Sequence, residues 1–164
     1  MQSTCKYCGE GTWSDTVGAI DVTTCVSCSA GFYSSARGAG AMADCNACPG
    51  GRASVTVGAD KQLYCLGCLA GQYSASASTH CSDCDAGKFQ DSIAQGSCLP
   101  CVPGKSQNET GTTACIDCEI DSYADRIELL NCTECPIGKQ AEWTGAAACQ
   151  SCQAGEVSSS FDAC

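Results

Sequence analysis

Apolar positions along this chain hold no period for long. Residues 54–57 alternate between polar and apolar, the mark of a short strand. Over residues 119–131, Ile120, Tyr123, Ile127 and Leu130 fall at helical spacing, which predicts a helical turn or, if the spacing is incidental, a loop with more apolar packing. Elsewhere Gly, Ser and Ala dominate with neither period, which predicts short strands and turns.

Cysteine does repeat. The pairs are Cys5/Cys8, Cys25/Cys28, Cys45/Cys48, Cys65/Cys68, Cys81/Cys84, Cys98/Cys101, Cys115/Cys118, Cys132/Cys135 and Cys149/Cys152, with Cys164 alone. Three steps of 20 residues are followed by one of 16 and four of 17. A period of this size marks an array of small units. The third residue after each pair is Gly11, Gly31, Gly51, Gly71, Gly87, Gly104, Gly138 or Gly155, with Asp121 as the exception. Gly adopts positive φ without steric cost and Asp is one of the few substitutes, so a left-handed turn is predicted there. The fifth residue is aromatic in five modules, at Trp13, Tyr33, Tyr73, Phe89 and Tyr123, and these rings are expected to stack over the module's own cysteines.

Composition explains why cysteine must carry the fold. Leu, Ile, Val and Phe make up about 13% of the 164 residues, below the roughly 20% under which a charged chain tends towards disorder. The 19 cysteines, by contrast, exceed the roughly 8–10% that marks a disulfide scaffold of an oxidising compartment. That compartment is extracellular, cell-surface or virion-surface. The net charge is −10 and the eight Lys and Arg are scattered, so no footprint for nucleic acid exists. No apolar run approaches the roughly 20 residues of a membrane span. The first residues also lack the apolar stretch of a signal peptide, so the expectation is an excerpt of a longer chain or another route to an oxidising place.

Three chemistries compete for the CxxC pairs. Two pairs 15–20 residues apart suit a zinc tetrathiolate, but only Gly9 supplies the tight turn directly after the second cysteine that zinc knuckles favour. Thioredoxin-like redox sites carry one CxxC at a helix start in a βαβ pattern, which nine copies without that pattern do not fit. Structural disulfides are the third reading and the one expected, with no metal and no cofactor. His80 is the only histidine and has no second catalytic group arranged with it, so no catalytic residue is expected. Asp117, Glu119, Asp121, Asp125 and Glu128 read as a solvated acidic face rather than a calcium site, since no EF-hand pattern accompanies them. Sequons at Asn108 and Asn131 offer N-glycan acceptors, and Trp143 offers a surface contact.

Strings such as CVSCSAGFYSS, CLGCLAGQYSA and CSDCDAGKFQD resemble the cysteine-rich repeats of ephrin-receptor ectodomains and, more distantly, of tumour necrosis factor receptors. The resemblance covers essentially the whole chain. In such modules the cysteine before the Gly turn pairs with the first cysteine of the next CxxC. This implies Cys8 with Cys25, Cys28 with Cys45, Cys48 with Cys65, Cys68 with Cys81, Cys84 with Cys98, Cys101 with Cys115, Cys118 with Cys132, Cys135 with Cys149 and Cys152 with Cys164. Cys5 is then left for an upstream partner. Each closed loop should remove unfolded-state entropy worth about 3 kcal/mol.

The fold expected is therefore a tandem array of about nine small disulfide-rich repeats (loops 8–25, 28–45, 48–65, 68–81, 84–98, 101–115, 118–132, 135–149 and 152–164). Short β-hairpins and irregular loops would stack into an elongated rod with little or no helix and nearest-neighbour contacts only. The function expected is non-enzymatic: an extracellular or surface rod, stalk or filament component that meets other protein chains laterally or end to end. The alternative is a receptor or adhesion ectodomain that binds a protein ligand along its side.

Overall fold

A computed structural model of the chain describes residues 6–155. Among them, sixteen strands of two residues pair as eight antiparallel hairpins, and helix is limited to three 3-10 turns. One rule places every hairpin. The first strand is the two residues after the turn residue, and the second is the two residues enclosed by the next CxxC. Thus Thr12–Trp13 pairs with Val26–Ser27, Phe32–Tyr33 with Asn46–Ala47, Arg52–Ala53 with Leu66–Gly67, and Gln72–Tyr73 with Ser82–Asp83. Lys88–Phe89 pairs with Leu99–Pro100, Lys105–Ser106 with Ile116–Asp117, Ser122–Tyr123 with Thr133–Glu134, and Lys139–Gln140 with Gln150–Ser151.

A two-residue strand cannot hold a partner by its own ladder. Two further restraints close each hairpin. The amide of the second cysteine donates to the turn residue's carbonyl, as Cys28 N does to Gly11 O at 2.8 Å and Cys118 N to Gly104 O at 2.9 Å. A disulfide then joins the cysteine three residues before the turn to the cysteine just before the second strand. The bridges are Cys8–Cys25, Cys28–Cys45, Cys48–Cys65, Cys68–Cys81, Cys84–Cys98, Cys101–Cys115, Cys118–Cys132 and Cys135–Cys149. Cys5 and Cys164, and with them the Cys152–Cys164 pairing, lie outside the described residues.

The longer early modules differ by one insertion. The 3-10 turns Val22–Thr24, Met42–Asp44 and Gln62–Tyr64 stand directly before the closing cysteine in the three loops of sequence separation 17, and the other five loops, of separation 13 or 14, have none. Acidic side chains order two of these turns. Asp21 Oδ1 accepts from Thr23 N at 2.9 Å, and Asp44 Oδ2 accepts from Gly40 N at 2.8 Å.

Two local expectations are corrected. Residues 119–131 form no helix: Asp121 and Glu128 sit at φ +61° and +60°, which a right-handed helix cannot contain, and Ser122–Tyr123 is a strand. Ile120, Ile127 and Leu130 are exposed, so their spacing does not report a buried face. Residues 54–57 are not a strand either. The strand is Arg52–Ala53, and Val55 and Val57 are exposed. Turn residue and cysteine pair dictate strand position in this fold, and hydrophobic alternation does not.

The interior is made of sulfur and small side chains. Cys28, Cys48, Cys65, Cys68, Cys84, Cys101 and Cys118 are buried, together with Ala39, Ala59, Ala124, Ala141 and Ala146. The residue after the first strand is buried in the seven modules from Ser34 to Ala141, through Ser54, Ser74, Gln90, Gln107 and Ala124. Large aliphatic side chains stay outside because no module is thick enough to enclose them.

The chain divides into two compact units, Met1–Leu69 with Tyr73–Ser82 and Ile93–Ser97, and Ala70–Gln72 with Asp83–Ser92 and Cys98–Cys164. Within the first unit each module hydrogen-bonds to the next through its backbone. Gly31 N donates to Ser54 O at 2.8 Å, Ser34 N to Ala59 O at 3.0 Å, and Gly58 N to Cys28 O at 2.8 Å. The second unit repeats the set with Gly87 N to Gln107 O at 2.7 Å, Gln107 N to Leu129 O at 3.0 Å, and Gly111 N to Cys84 O at 2.8 Å.

The expectation of nearest-neighbour contacts is also corrected. In the first unit a Cβ on Gly11, Gly31 or Gly51 would overlap the carbonyl oxygen of Gly58, Ala77 or Ala94, each two modules further on. In the second unit Gly71, Gly87 and Gly104 stand in the same relation to Gly111, Glu128 and Gly145. The turn lacks a side chain because the backbone of the next-but-one module lies against it.

Candidate functional site

The turn glycines identified in the sequence have φ between +75° and +100°, and Asp121 takes +61°. A second left-handed residue occurs in every described module: Gly18, Gly38, Gly58, Ala77, Ala94, Gly111, Glu128 and Gly145. From Gly38 onward its amide donates to a cysteine carbonyl of the preceding module, and from Gly58 onward its own carbonyl rests on the turn glycine two modules back. Sequence reasoning missed this position. The signal was present as a glycine seven residues after the first in five modules, and Ala77, Ala94 and Glu128 obscured it.

The remaining candidates lie on the outside. Asn108 and Thr110 are exposed in a loop ordered from beneath by Gln107, whose Nε2 donates to Ala114 O at 3.0 Å and whose Oε1 accepts from Glu109 N at 3.0 Å. Asn131 is exposed too, but it stands between a loop and Cys132, and Thr133 of its sequon is a strand residue paired with Tyr123. Its backbone is therefore held on the C-terminal side. Trp13, Tyr33, Tyr73, Phe89 and Tyr123 are half-buried on first strands, and Trp143 is exposed. His80 is exposed, with Nδ1 at 3.0 Å from the Thr79 hydroxyl.

The acidic residues from Asp117 to Glu128 face solvent or lie half-buried. Two form ion pairs, Lys105 Nζ with Asp117 Oδ1 at 2.8 Å and Lys88 Nζ with Glu128 Oε1 at 3.7 Å. Both pairs are open to solvent and contribute little to stability. Among the described residues no group of three His, Cys, Asp or Glu could hold a metal ion, and no helix is long and apolar enough to cross a membrane. What this surface can offer a partner is backbone-braced loops, exposed aliphatic side chains and acidic charge.

Two features decide the kinship: the two-residue strand inside each CxxC and the bridge that reaches back over the Gly turn. The family model described as tyrosine-protein kinase ephrin type A/B receptor-like matches residues 20–65, 71–114 and 104–152. The chain belongs to this family. No curated protein matches it. Each matched ephrin-receptor-like segment contains more than one CxxC, in keeping with contacts that reach two modules along the chain. The family and the density of disulfides suggest an extracellular or cell-surface location and a role in protein–protein interaction.

Proposed function

We propose that this ephrin-receptor-like array is an extracellular structural repeat protein, a disulfide-stapled rod, stalk or filament component that meets other protein chains laterally or end to end. The observation that carries this reading is the identity of the contacts from module to module within each unit. Each of the first six turns gives its amide to the next module and lies against the backbone of the one after it, and among the described residues no large side chain is fully buried in a common interior. Such a chain grows by repetition. The family match favours a second reading, a receptor or adhesion ectodomain that binds a protein ligand on its side. Both readings take protein partners, and neither takes nucleic acid, a metal or a catalytic residue.

Small-angle scattering of the oxidised chain tests the rod. A compact globule of 164 residues would have a radius of gyration of about 15 Å. An array that grows by repetition should instead give a value clearly above this. A value near the globular one would remove the structural reading.

The surface location carries a chemical expectation. Asn108 should bear an N-linked glycan in protein from its natural source, and Asn131 should be modified less fully because its sequon runs into a bridged cysteine and a strand. Mass spectrometry of the two peptides reads both. Bare Asn108 throughout would count against passage through a glycosylating secretory route.

A further inference from the structure

Two backbone contacts recur along the array, and both change at Asp121. With the modules numbered by their turn residues, Gly11 is the first turn, Asp121 the seventh and Gly155 the ninth. One contact joins a module to its neighbour. The amide three residues after the turn residue donates to the carbonyl that follows the second left-handed residue of the next module. Ser14 N to Ala39 O, Ser54 N to Ser78 O and Gln90 N to Thr112 O are of this kind, and the set runs at 3.0–3.3 Å as far as Ala124 N to Ala146 O. In module eight the equivalent amide, Ala141 N, meets a side chain, and Asp121 Oδ1 accepts from it at 3.4 Å.

The other contact joins a module to its next-but-one neighbour. At the first six turns an added Cβ would overlap the carbonyl oxygen of the second left-handed residue two modules on. Asp121 carries that Cβ, at the same place in the repeat and on the same left-handed backbone, φ +61°. The approach that the six glycines permit is therefore barred at module seven. By count, the approaching residue would be Asp162, seven after Gly155, with Ala163 next to it. Both lie outside the described residues.

We infer that Asp121 is a stop in the stacking. Its Cβ keeps the carbonyl of position 162 off the turn of module seven, and its carboxylate takes the Ala141 amide that the carbonyl of position 163 would receive. Module nine is then held by module eight alone, which makes a joint after module eight. Replacing glycine does not by itself have this effect. Ala77, Ala94 and Glu128 stand where other modules have a second left-handed glycine, and their carbonyls still rest on Gly31, Gly51 and Gly87. Only a side chain on the turn closes the contact, and Gly138 and Gly155 restore glycine at the turns that follow. The position also bears a cost, since a left-handed backbone is less favourable for Asp than for Gly. The inference stands on these contacts and holds for a structural array and for a ligand-binding ectodomain alike.

Hydrogen exchange of the oxidised chain, quenched, reduced and read by mass spectrometry, tests it. Asp121→Gly removes the Cβ and the carboxylate together, so module nine should gain both contacts. Exchange in the peptide covering residues 153–164 should slow at least about fivefold. Asp121→Asn keeps the Cβ, tolerance of the left-handed backbone and an oxygen for Ala141 N, and should leave that peptide within about twofold of wild type. Residues 119–131 serve as the internal reference, because glycine also relieves the backbone of module seven itself. Both variants put a residue that accepts positive φ at a half-buried position, so both should keep the wild-type disulfide map. Slowing in 153–164 that is greater than in 119–131, and seen with Gly but not with Asn, is the expected result. Slowing no greater than in 119–131 overturns the inference, as does equal slowing by Asp121→Asn or unchanged exchange in Asp121→Gly.

Discussion

Full reduction should abolish cooperative unfolding altogether. A folded domain is stable by only about 5–15 kcal/mol, and each loop closed here, of sequence separation 13 to 17, is worth about 3 kcal/mol of unfolded-state entropy. The eight contributions need not add, but losing a fraction of them exceeds the whole margin. Nothing else in the described interior can compensate, because its buried residues are cysteine, Gly, Ala, Ser and Gln, while Val17, Ile20, Val55, Leu66, Leu69 and Ile137 are exposed. Thermal or urea unfolding followed by circular dichroism, with and without a strong reductant, makes the comparison. A reduced chain that still melts cooperatively would mean that packing rather than cross-linking holds the fold.

The second large effect belongs to the turn glycines. Gly71→Ala should cost roughly 3 kcal/mol or more, from two separate causes. At φ +84° an added Cβ costs about 1–2 kcal/mol by itself. That Cβ would also overlap the backbone carbonyl of Gly111, and a backbone atom cannot swing away as a side chain can. Gly18→Ala provides the control. It shares the left-handed backbone, φ +72°, but among the described residues nothing lies within 4 Å of the added atom, so only the cost of about 1–2 kcal/mol remains. Urea midpoints of the two variants in the oxidised state read the difference. Equal costs would mean that the contact across two modules does not form in solution.

The contrast between these glycines also shows what the sequence could reveal. The turn after each CxxC was legible because steric exclusion leaves a mark at a single position: glycine eight times and Asp121 once. The sparse helix and short hairpins were legible from composition, since Gly/Ser/Ala-rich stretches between cysteines sustain neither period. Strand positions were not. A two-residue strand is shorter than any alternation that could announce it, and the residues inside the CxxC pairs range from Val26 and Leu66 to Asn46 and Gln150.

The reach of each module was hidden for a different reason. Its contacts run from backbone to backbone, Gly58 N to Cys28 O and the Gly58 carbonyl against Gly11, so no side-chain pattern encodes them beyond a second glycine that Ala77, Ala94 and Glu128 replace at a cost of positive φ. The exposed aliphatics misled in the opposite direction. In a chain with a core, Ile120, Ile127 and Leu130 would mark a buried helical face, whereas here they mark only the outside of a module too thin to have one.

The central claim is that bridges between successive CxxC pairs, rather than metal ions or bridges within a pair, organise the chain. Peptide mapping of the oxidised protein without reduction, with zinc measured on the same sample, tests it most directly. The account predicts one peptide pair joining Cys28 to Cys45, another joining Cys101 to Cys115, and no bound zinc. Bridges between Cys25 and Cys28 or between Cys98 and Cys101, or about one zinc ion for every four cysteines, would contradict it.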